Sequence, residues 1–369
     1  MFEYLRPRVQ KTKIRFTGSN MTLHRKLFLL ILSLSFLMTG SSVLGEVSMD
    51  SPEVDSIIFT GLRLVYADST MQAVEEFKKL IHIFPDDPIG YFYVAATLQT
   101  TMDDYRNYSY KDEFNQYLNQ AIQKAENRKK KGIMDAYDYL YLGGAIGFRG
   151  INKALTGDWV GGFVDGLKGR NNLVKALAVD STLYDVYYGL GSYHFWRSLK
   201  SRSFWWLPFI GDNRQKGIEM IKSVIEKGKY AKQDAQFALV RIWVENKEYD
   251  KAFSQINKLS QIYHNKPFLL WFLGRAQLEN NMYSGAIQTY QNLLEALITS
   301  PYYGPTGEVE CRYDLALALY QNKDFKNSSA QIDTILTFKK DASMNKGMKD
   351  FIHKAENLQK KIKKETKTG

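Results

Sequence analysis

The sequence predicts an all-α protein, a right-handed solenoid of helix-turn-helix repeats that ends in a capping helix. The main observation is a self-similarity of 34 residues, which is the length of one helix-turn-helix unit. Six positions of one unit recur in the next: Leu239, Trp243, Tyr249, Ala252, Ile256 and Leu259, then Leu273, Gln277, Tyr283, Ala286, Tyr290 and Leu293. Two amphipathic helices cannot bury their apolar faces within one unit, so we expect neighbouring units to stack.

Small residues at matching positions give this periodicity a physical reason. A Gly or Ala at a helix crossing lets two backbones approach closely while large apolar side chains fill the space beside them. Gly274 and Ala286 take these positions in the clearest unit, and the same arrangement begins near Val54. Its members there are Gly61, Ala73, Phe77, Leu80 and Pro85. In these small and large residues, and in the Pro near the end of the unit, the sequence resembles the tetratricopeptide repeat family.

Further units fit the same register and extend the resemblance over residues 54–338. Their anchors are the pairs Leu142-Gly143, Leu190-Gly191 and Leu315-Ala316, with Val94-Ala95 as the weakest. About six or seven units result at this period. Their second helices are predicted to begin near Met71, Glu113, Val160, Arg214, Tyr249 and Phe325. The resemblance identifies the architecture, but the function has to be argued from the residues of a site.

The first 45 residues are predicted to be an extension followed by a secretory signal. His24-Arg25-Lys26 supplies a basic start, and an apolar stretch from Leu27 to Met38 follows. The mature chain then begins at Glu46, and Met21 is an alternative start to Met1. An uncleaved anchor is the competing interpretation, because residues 27–44 approach the roughly 18 residues that span a bilayer. Cleavage predicts an exported protein of the bacterial periplasm or cell envelope, whereas the uncleaved segment predicts a protein anchored in the inner membrane through residues 27–44.

The composition limits the classes of partner and of covalent stabilisation. The formal charge is +11, but the first 45 residues carry seven Lys or Arg against Glu3, which leaves +5 for the remainder. A nucleic-acid partner is therefore not expected. The single Cys311 excludes an intramolecular disulfide framework, so we predict that this residue is buried as a small apolar side chain.

Two departures from the repeat are predicted as insertions, near residues 150–165 and 198–212. In the first, glycines at four-residue spacing such as Gly143 and Gly147, or Gly162 and Gly166, favour close helix packing. A phosphate-binding loop is the alternative, although its sequence motif is absent. The second insertion carries the aromatic residues Phe204, Trp205, Trp206 and Phe209. This loop either folds over the solenoid or contacts a bilayer interface or a protein partner.

A row of aromatic residues is predicted along the concave surface. Residues two positions before the paired anchors point about 200° away from them on a helix. These residues are Phe92, Tyr188, Phe237, Trp271 and Tyr313. The family resemblance implies that this side of the first helices lines the groove, with Arg241 and Arg275 as a basic ladder and Asp185 and Ser192 as further polar groups. The alternative is that the rings fill gaps between successive first helices.

Catalysis has little support in the sequence, so we predict a scaffold that is not an enzyme and needs no metal or cofactor. The five His residues form no tight ligand motif, and His194 lies outside any nucleophile-elbow pattern. The predicted solenoid spans residues 46–343, and residues 344–369 form a capping helix and a Lys-rich tail. We expect a protein or peptide partner in the groove. The alternative function is a membrane-peripheral assembly factor that docks through residues 204–210 or through an uncleaved anchor.

Overall fold

Antiparallel helix pairs make up the fold. The computed structural model describes residues 51–201, 211–340 and 345–368, all within the unit Asp50–Gly369. These residues form fifteen α-helices and no strand. The first four pairs are α1 (Pro52–Tyr66) and α2 (Thr70–Ile83), α3 (Ile89–Tyr105) and α4 (Lys111–Lys131), α5 (Ala136–Leu155) and α6 (Trp159–Val179), and α7 (Val186–Ser201) and α8 (Arg214–Lys227).

Three more pairs and a final helix complete the solenoid. They are α9 (Lys232–Glu245) and α10 (Tyr249–Ser260), α11 (Pro267–Glu279) and α12 (Tyr283–Ile298), α13 (Pro305–Gln321) and α14 (Phe325–Thr337), and then α15 (Lys346–Thr368). Each helix packs against the next one along the chain. The second helices begin at the predicted positions or within two residues of them, so the fold class and the repeat register are confirmed.

A residue in the left-handed conformation marks the turn between the two helices of a pair. It occurs in six of the seven pairs within the described residues: at Asp68, Arg106, Gly157, Lys247, Asn281 and Lys323. A left-handed residue just after a helix ends the helix and reverses the chain. The recurrence of Lys247 and Asn281, one 34-residue period apart, shows that the turns repeat together with the core.

Glycine-to-ring contacts inside the pairs explain the small positions of the repeat. A Cβ atom added to Gly274 would lie 2.8 Å from the ring of Tyr290, and one added to Gly61 would overlap the ring of Phe77. Both rings come sixteen residues after the glycine and are almost completely buried. The large ring therefore needs the space that the missing side chain leaves.

The third pair is the longest hairpin, and its helices approach each other through glycine. A Cβ atom on Gly143 would lie 3.0 Å from the carbonyl oxygen of Gly169, and one on Gly162 would lie 2.8 Å from that of Gly150. Close packing was expected at this place, and of the four glycines named for it Gly143 and Gly162 direct their missing side chains at the partner helix. A Cβ on Gly147 would meet open space and one on Gly166 only Tyr193, at 3.9 Å, but their backbone nitrogens lie 3.2 Å from where a Cβ on Gly169 and on Gly150 would be. The expected insertion near 150–165 lies within α5, the turn and α6.

Helix α3 lies at the centre of the solenoid rather than at its surface. Thirteen of its seventeen residues are buried, and it packs against α2, α4, α5 and also α11, which is far away in sequence. The indole N–H of Trp271 on α11 donates to the carbonyl oxygen of Asp104 at 2.9 Å. The first helices of early and late repeats therefore meet across the inside of the solenoid.

The final helix covers the last repeat as predicted. Helix α15 packs on α13 and α14, and Met348, Ile352 and Leu358 are buried in that contact. Cys311 is also buried, which confirms its expected role as a core residue. None of the helices in the described part of the chain combines the length and hydrophobicity needed to span a bilayer. The predicted signal or anchor lies outside the described residues.

Candidate partner-binding site

The inner face of the solenoid, meaning the side of the first helices that faces α3, contains most of the expected groove residues. Two of the expected aromatic side chains are buried there against the protein's own chain. Phe237 is 7% exposed and stacks on Tyr66 of α1 at a centroid distance of 5.5 Å. Trp271 is 5% exposed, with the Arg106 guanidinium 4.8 Å from the centre of its ring. Both rings therefore join repeats, and neither offers a free surface.

Phe92 and Asp185 also make contacts that stabilise the fold. The ring of Phe92 lies 5.2 Å from that of Tyr141 and 5.9 Å from that of Phe148, so it joins α3 to α5. Asp185 is buried. Its carboxylate accepts three backbone N–H groups, those of Lys229, Tyr230 and Ala231, at 2.9–3.1 Å. This carboxylate holds the connection between α8 and α9 and is not available to a partner.

Arg241 is the exposed member of the expected set. Its guanidinium lies 4.6 Å from the centre of the Trp196 ring. Tyr188, on the same helix as Trp196, is half-buried, and burial together with the nearby Asp234 raises its pKa. Burial also raises the pKa of Asp103. The positive charge of Arg241 opposes the effect of burial at both Tyr188 and Asp103, because it lowers the pKa of each group. We call this ring-stacked arginine and the two groups that its charge influences the inner cluster, which draws on three first helices: Asp103, Tyr188, Trp196 and Arg241.

Arg275 is less available than the expected basic ladder implied. Its guanidinium donates to Glu245 and to Glu279, each at 2.8 Å. A cation that already has two carboxylate partners attracts a further anion only weakly. Of the remaining expected residues, Ser192 is half-buried on α7. The ring of Tyr313 packs against that of Phe351 on the capping helix, with 5.6 Å between the ring centres.

A second group of charges on the inner face was not anticipated from the sequence. Arg106 pairs with Glu310 of α13 at 3.2 Å. Burial and the nearby Glu310 raise the pKa of Asp314 to about 8. The only feature of the sequence that could have indicated these buried charges is the set of polar residues on α3, an otherwise apolar helix. Four of these are buried: Thr97, Gln99, Thr101 and Asp104.

The other expected sites lie elsewhere or outside the described residues. Phe204, Trp205, Trp206 and Phe209 of the aromatic loop belong to the residues that the structure does not describe. Among the described residues, no three His, Cys, Asp or Glu side chains are grouped closely enough to hold a metal ion. His194 is half-buried, and burial together with Lys216, Arg170 and Arg197 lowers its pKa.

Several solved structures are similar to this chain. The crystal structure of the APC/C heterotetramer Cut9–Hcn1 matches with a TM-score of 0.51 and 13% identity, over 93% of this chain and 54% of that chain. This chain thus spans about half of that one. The C-terminal part of a TPR repeat-containing protein from Cytophaga hutchinsonii gives a TM-score of 0.38 and 18% identity, over 80% and 99%. Yeast Tom70 gives a TM-score of 0.36 and 12% identity, over 94% of both chains.

The sequence comparisons add no closer relationship. No model of a protein family and no curated protein matches the sequence. The structural neighbours are tetratricopeptide repeat proteins, so the expected resemblance is confirmed at the level of the fold.

Proposed function

We propose that this chain is a non-enzymatic scaffold that binds a protein or peptide on the inner face of its solenoid. The observation that carries the proposal is that Arg241 is exposed and that its guanidinium lies over the Trp196 ring within the inner cluster. A solenoid presents an extended surface to its partners, which suits an elongated ligand. Of the groove residues expected from the sequence, the proposed site keeps Tyr188 and Arg241, which are not buried.

The chemistry of the inner cluster indicates what kind of partner it accepts. An arginine stacked on an aromatic ring keeps its N–H groups free in the guanidinium plane, where they pair with a carboxylate. Tyr188 and Trp196 add rigid ring surface that loses little conformational entropy on binding. We therefore propose an extended peptide or a helix that places an acidic side chain on Arg241 and an apolar side chain beside it.

Photo-crosslinking tests this assignment. We expect a photoreactive phenylalanine derivative in place of Tyr188 to crosslink a defined partner, and Arg241→Glu to reduce that crosslink at least tenfold because it repels the partner's carboxylate. Lys258→Glu makes the same change of charge at an exposed position on α10 and should leave the crosslink unchanged. Equal crosslinking in both charge variants would contradict the proposed site. Circular dichroism of each variant checks that the helices are intact.

The proposed location is the periplasm or cell envelope of a bacterium. It is supported by the basic start, apolar stretch and small residues within residues 21–45. N-terminal sequencing of the protein from cell fractions should give Glu46 as the first residue. Recovery of an intact N-terminus in the membrane fraction would instead support the uncleaved anchor at residues 27–44.

A membrane-peripheral assembly factor is the second candidate function. Residues 204–210 remain a proposed contact with the bilayer, because Trp beside Lys and Arg is typical of interfacial segments. Flotation of the chain with liposomes, with and without Trp205→Ser and Trp206→Ser, tests this loop. The exposed end of the α5–α6 hairpin is a separate observation that favours membrane contact.

A further inference from the structure

The free end of the α5–α6 hairpin carries a dense group of exposed apolar side chains. Leu155 is 70% exposed, Trp159 67% and Val160 77%. Together with four neighbours that are 36–56% exposed, they form a patch that we call the hairpin tip. The hairpin tip consists of Ile151, Leu155, Trp159, Val160, Phe163, Val164 and Leu167. Soluble proteins rarely leave this many large apolar residues together at the surface unless they contact something.

Glycine packing explains why these side chains point outward. The two helices meet through Gly150 and Ala154 on α5 and Gly162 on α6, where a Cβ on Gly162 would lie 3.1 Å from that of Ala154. Small residues therefore occupy the contact between the helices and bring the backbones together. The large apolar side chains are not needed for the pairing, so they cover the outside of the hairpin tip.

Charged groups lie among the apolar residues of the hairpin tip and beyond them along α6. Arg149 and Lys153 both pair with Asp165 at 2.8 Å, and these cations lower the pKa of Asp165 to about 2. Asp158, at the turn, accepts the backbone N–H of Gly161 at 2.8 Å and caps α6. The next exposed or half-buried cations are Lys168, Arg170 and Lys175. Lys168 lies nine residues after Trp159, or roughly 13 Å along the helix axis at 1.5 Å per residue.

We propose that the hairpin tip inserts into the headgroup region of an anionic lipid bilayer. Interfacial helices bury their apolar face about 5–10 Å into the boundary between headgroups and acyl chains. At that depth Trp159, Val160 and Phe163 enter the apolar layer, while Lys168 and Arg170 stay at the level of the phosphates. Apolar residues at the hairpin tip, followed along α6 by the cations Lys168, Arg170 and Lys175, thus match an anionic membrane surface. The insertion does not depend on the inner cluster.

Fluorescence of a dye at the hairpin tip tests this proposal in the full chain. The variant Val160→Cys, labelled with an environment-sensitive nitrobenzoxadiazole dye, is mixed with vesicles of equal parts phosphatidylglycerol and phosphatidylcholine. We expect the emission to rise at least threefold and shift to the blue, with a smaller change on pure phosphatidylcholine. Spin-labelled lipids should quench the inserted dye. The unsubstituted chain, whose only cysteine Cys311 is buried, measures background labelling.

Matched variants separate the possible outcomes. Ile262→Cys places the same dye on a residue that is 66% exposed in the turn after α10, so it reports binding through any other segment of the chain. Equal responses at both positions, or none at Val160→Cys, would overturn the proposal. An emission that rises with protein concentration without lipid would assign the hairpin tip to a second copy and would also overturn it. Arg241→Glu should leave the lipid response unchanged, which separates this proposal from that of the inner cluster.

Discussion

Burial raises the pKa of several carboxyl groups between the helices. The pKa values of Asp87, Asp104 and Asp234 are about 6, and that of Asp314 is about 8, where Glu310 adds to the effect of burial. A carboxyl group whose pKa is higher in the folded state keeps a proton that the unfolded chain has already lost. The free energy of unfolding therefore falls as the pH rises from about 4 through each folded-state value.

Asp314→Asn should remove the last step of this pH dependence. Above pH 7 the three carboxyl groups with a pKa of about 6 are already ionised, so the window from pH 7 to pH 9 reports mainly on Asp314. Asn cannot become charged beside Glu310, so we expect the melting temperature at pH 9 to rise by about 2–4 °C. Thermal unfolding at both pH values measures this effect. An Asp250→Asn control at an exposed position in the first turn of α10 should leave the difference between the two melting temperatures unchanged, and the same pH dependence in Asp314→Asn would refute the assignment.

At the scale of the elements, the sequence predicted where the second helices begin better than it predicted the lateral contacts between helices. Helix starts follow from apolar periodicity and from Pro or Asp at the first positions, which act locally. The glycines of α5 and α6 indicated a close approach, but residues three and four apart lie on the same side of a helix. Their spacing alone does not tell Gly150 from Gly147. That choice depends on where the partner helix lies, which the sequence of one hairpin does not specify.

Substitutions at two glycines test the hairpin contact. Gly162→Val puts a branched side chain against the carbonyl oxygen of Gly150, where even a Cβ would lie at 2.8 Å. We expect this overpacking to lower the free energy of unfolding by about 1–3 kcal/mol. Gly147→Ala meets open space and removes a residue of poor helix propensity, so it should be neutral or stabilise by up to about 1 kcal/mol. Urea denaturation compares the two variants, and equal losses would contradict the packing.

For the whole molecule, periodicity predicted stacking repeats but not the contact of α3 with α11 across the inside of the solenoid. We call this contact the closure of the inner face. A repeat pattern specifies which helix faces are apolar, whereas the curvature that brings α3 against α11 accumulates over several units. Val94-Ala95 was the weakest anchor because α3 is buried on nearly all sides, so that it has no clear polar face. In the candidate site, Tyr188 and Arg241 followed from the register. Asp103 did not, because only the curvature of the whole solenoid brings α3 near these residues, and Trp196 was not singled out although it lies on the same helix as Tyr188.

Lys266 links the start of α11 to the first repeat and to the end of α3. It is 3% exposed and is the N-cap residue of α11. Its Nζ lies 2.7 Å from Asp68 in the first repeat and 3.2 Å from Asp104 at the end of α3. A buried cation with two carboxylate partners is costly to remove, because the carboxylates then lose their compensating charge. The closure of the inner face therefore depends strongly on one side chain.

Lys266→Met tests whether the closure makes the solenoid unfold as one unit. We expect the variant to lose about 3–5 kcal/mol of stability at pH 7, and less at pH 5, where Asp104 is protonated because its pKa is about 6. Hydrogen exchange should accelerate most in α3 and α11, which in the unchanged chain should be among the slowest helices because their contacts cross the centre. Lys258→Met, at an exposed position of α10, serves as the control. Exchange that instead increases evenly from the two chain ends would mean that the repeats open independently and that the closure contributes little.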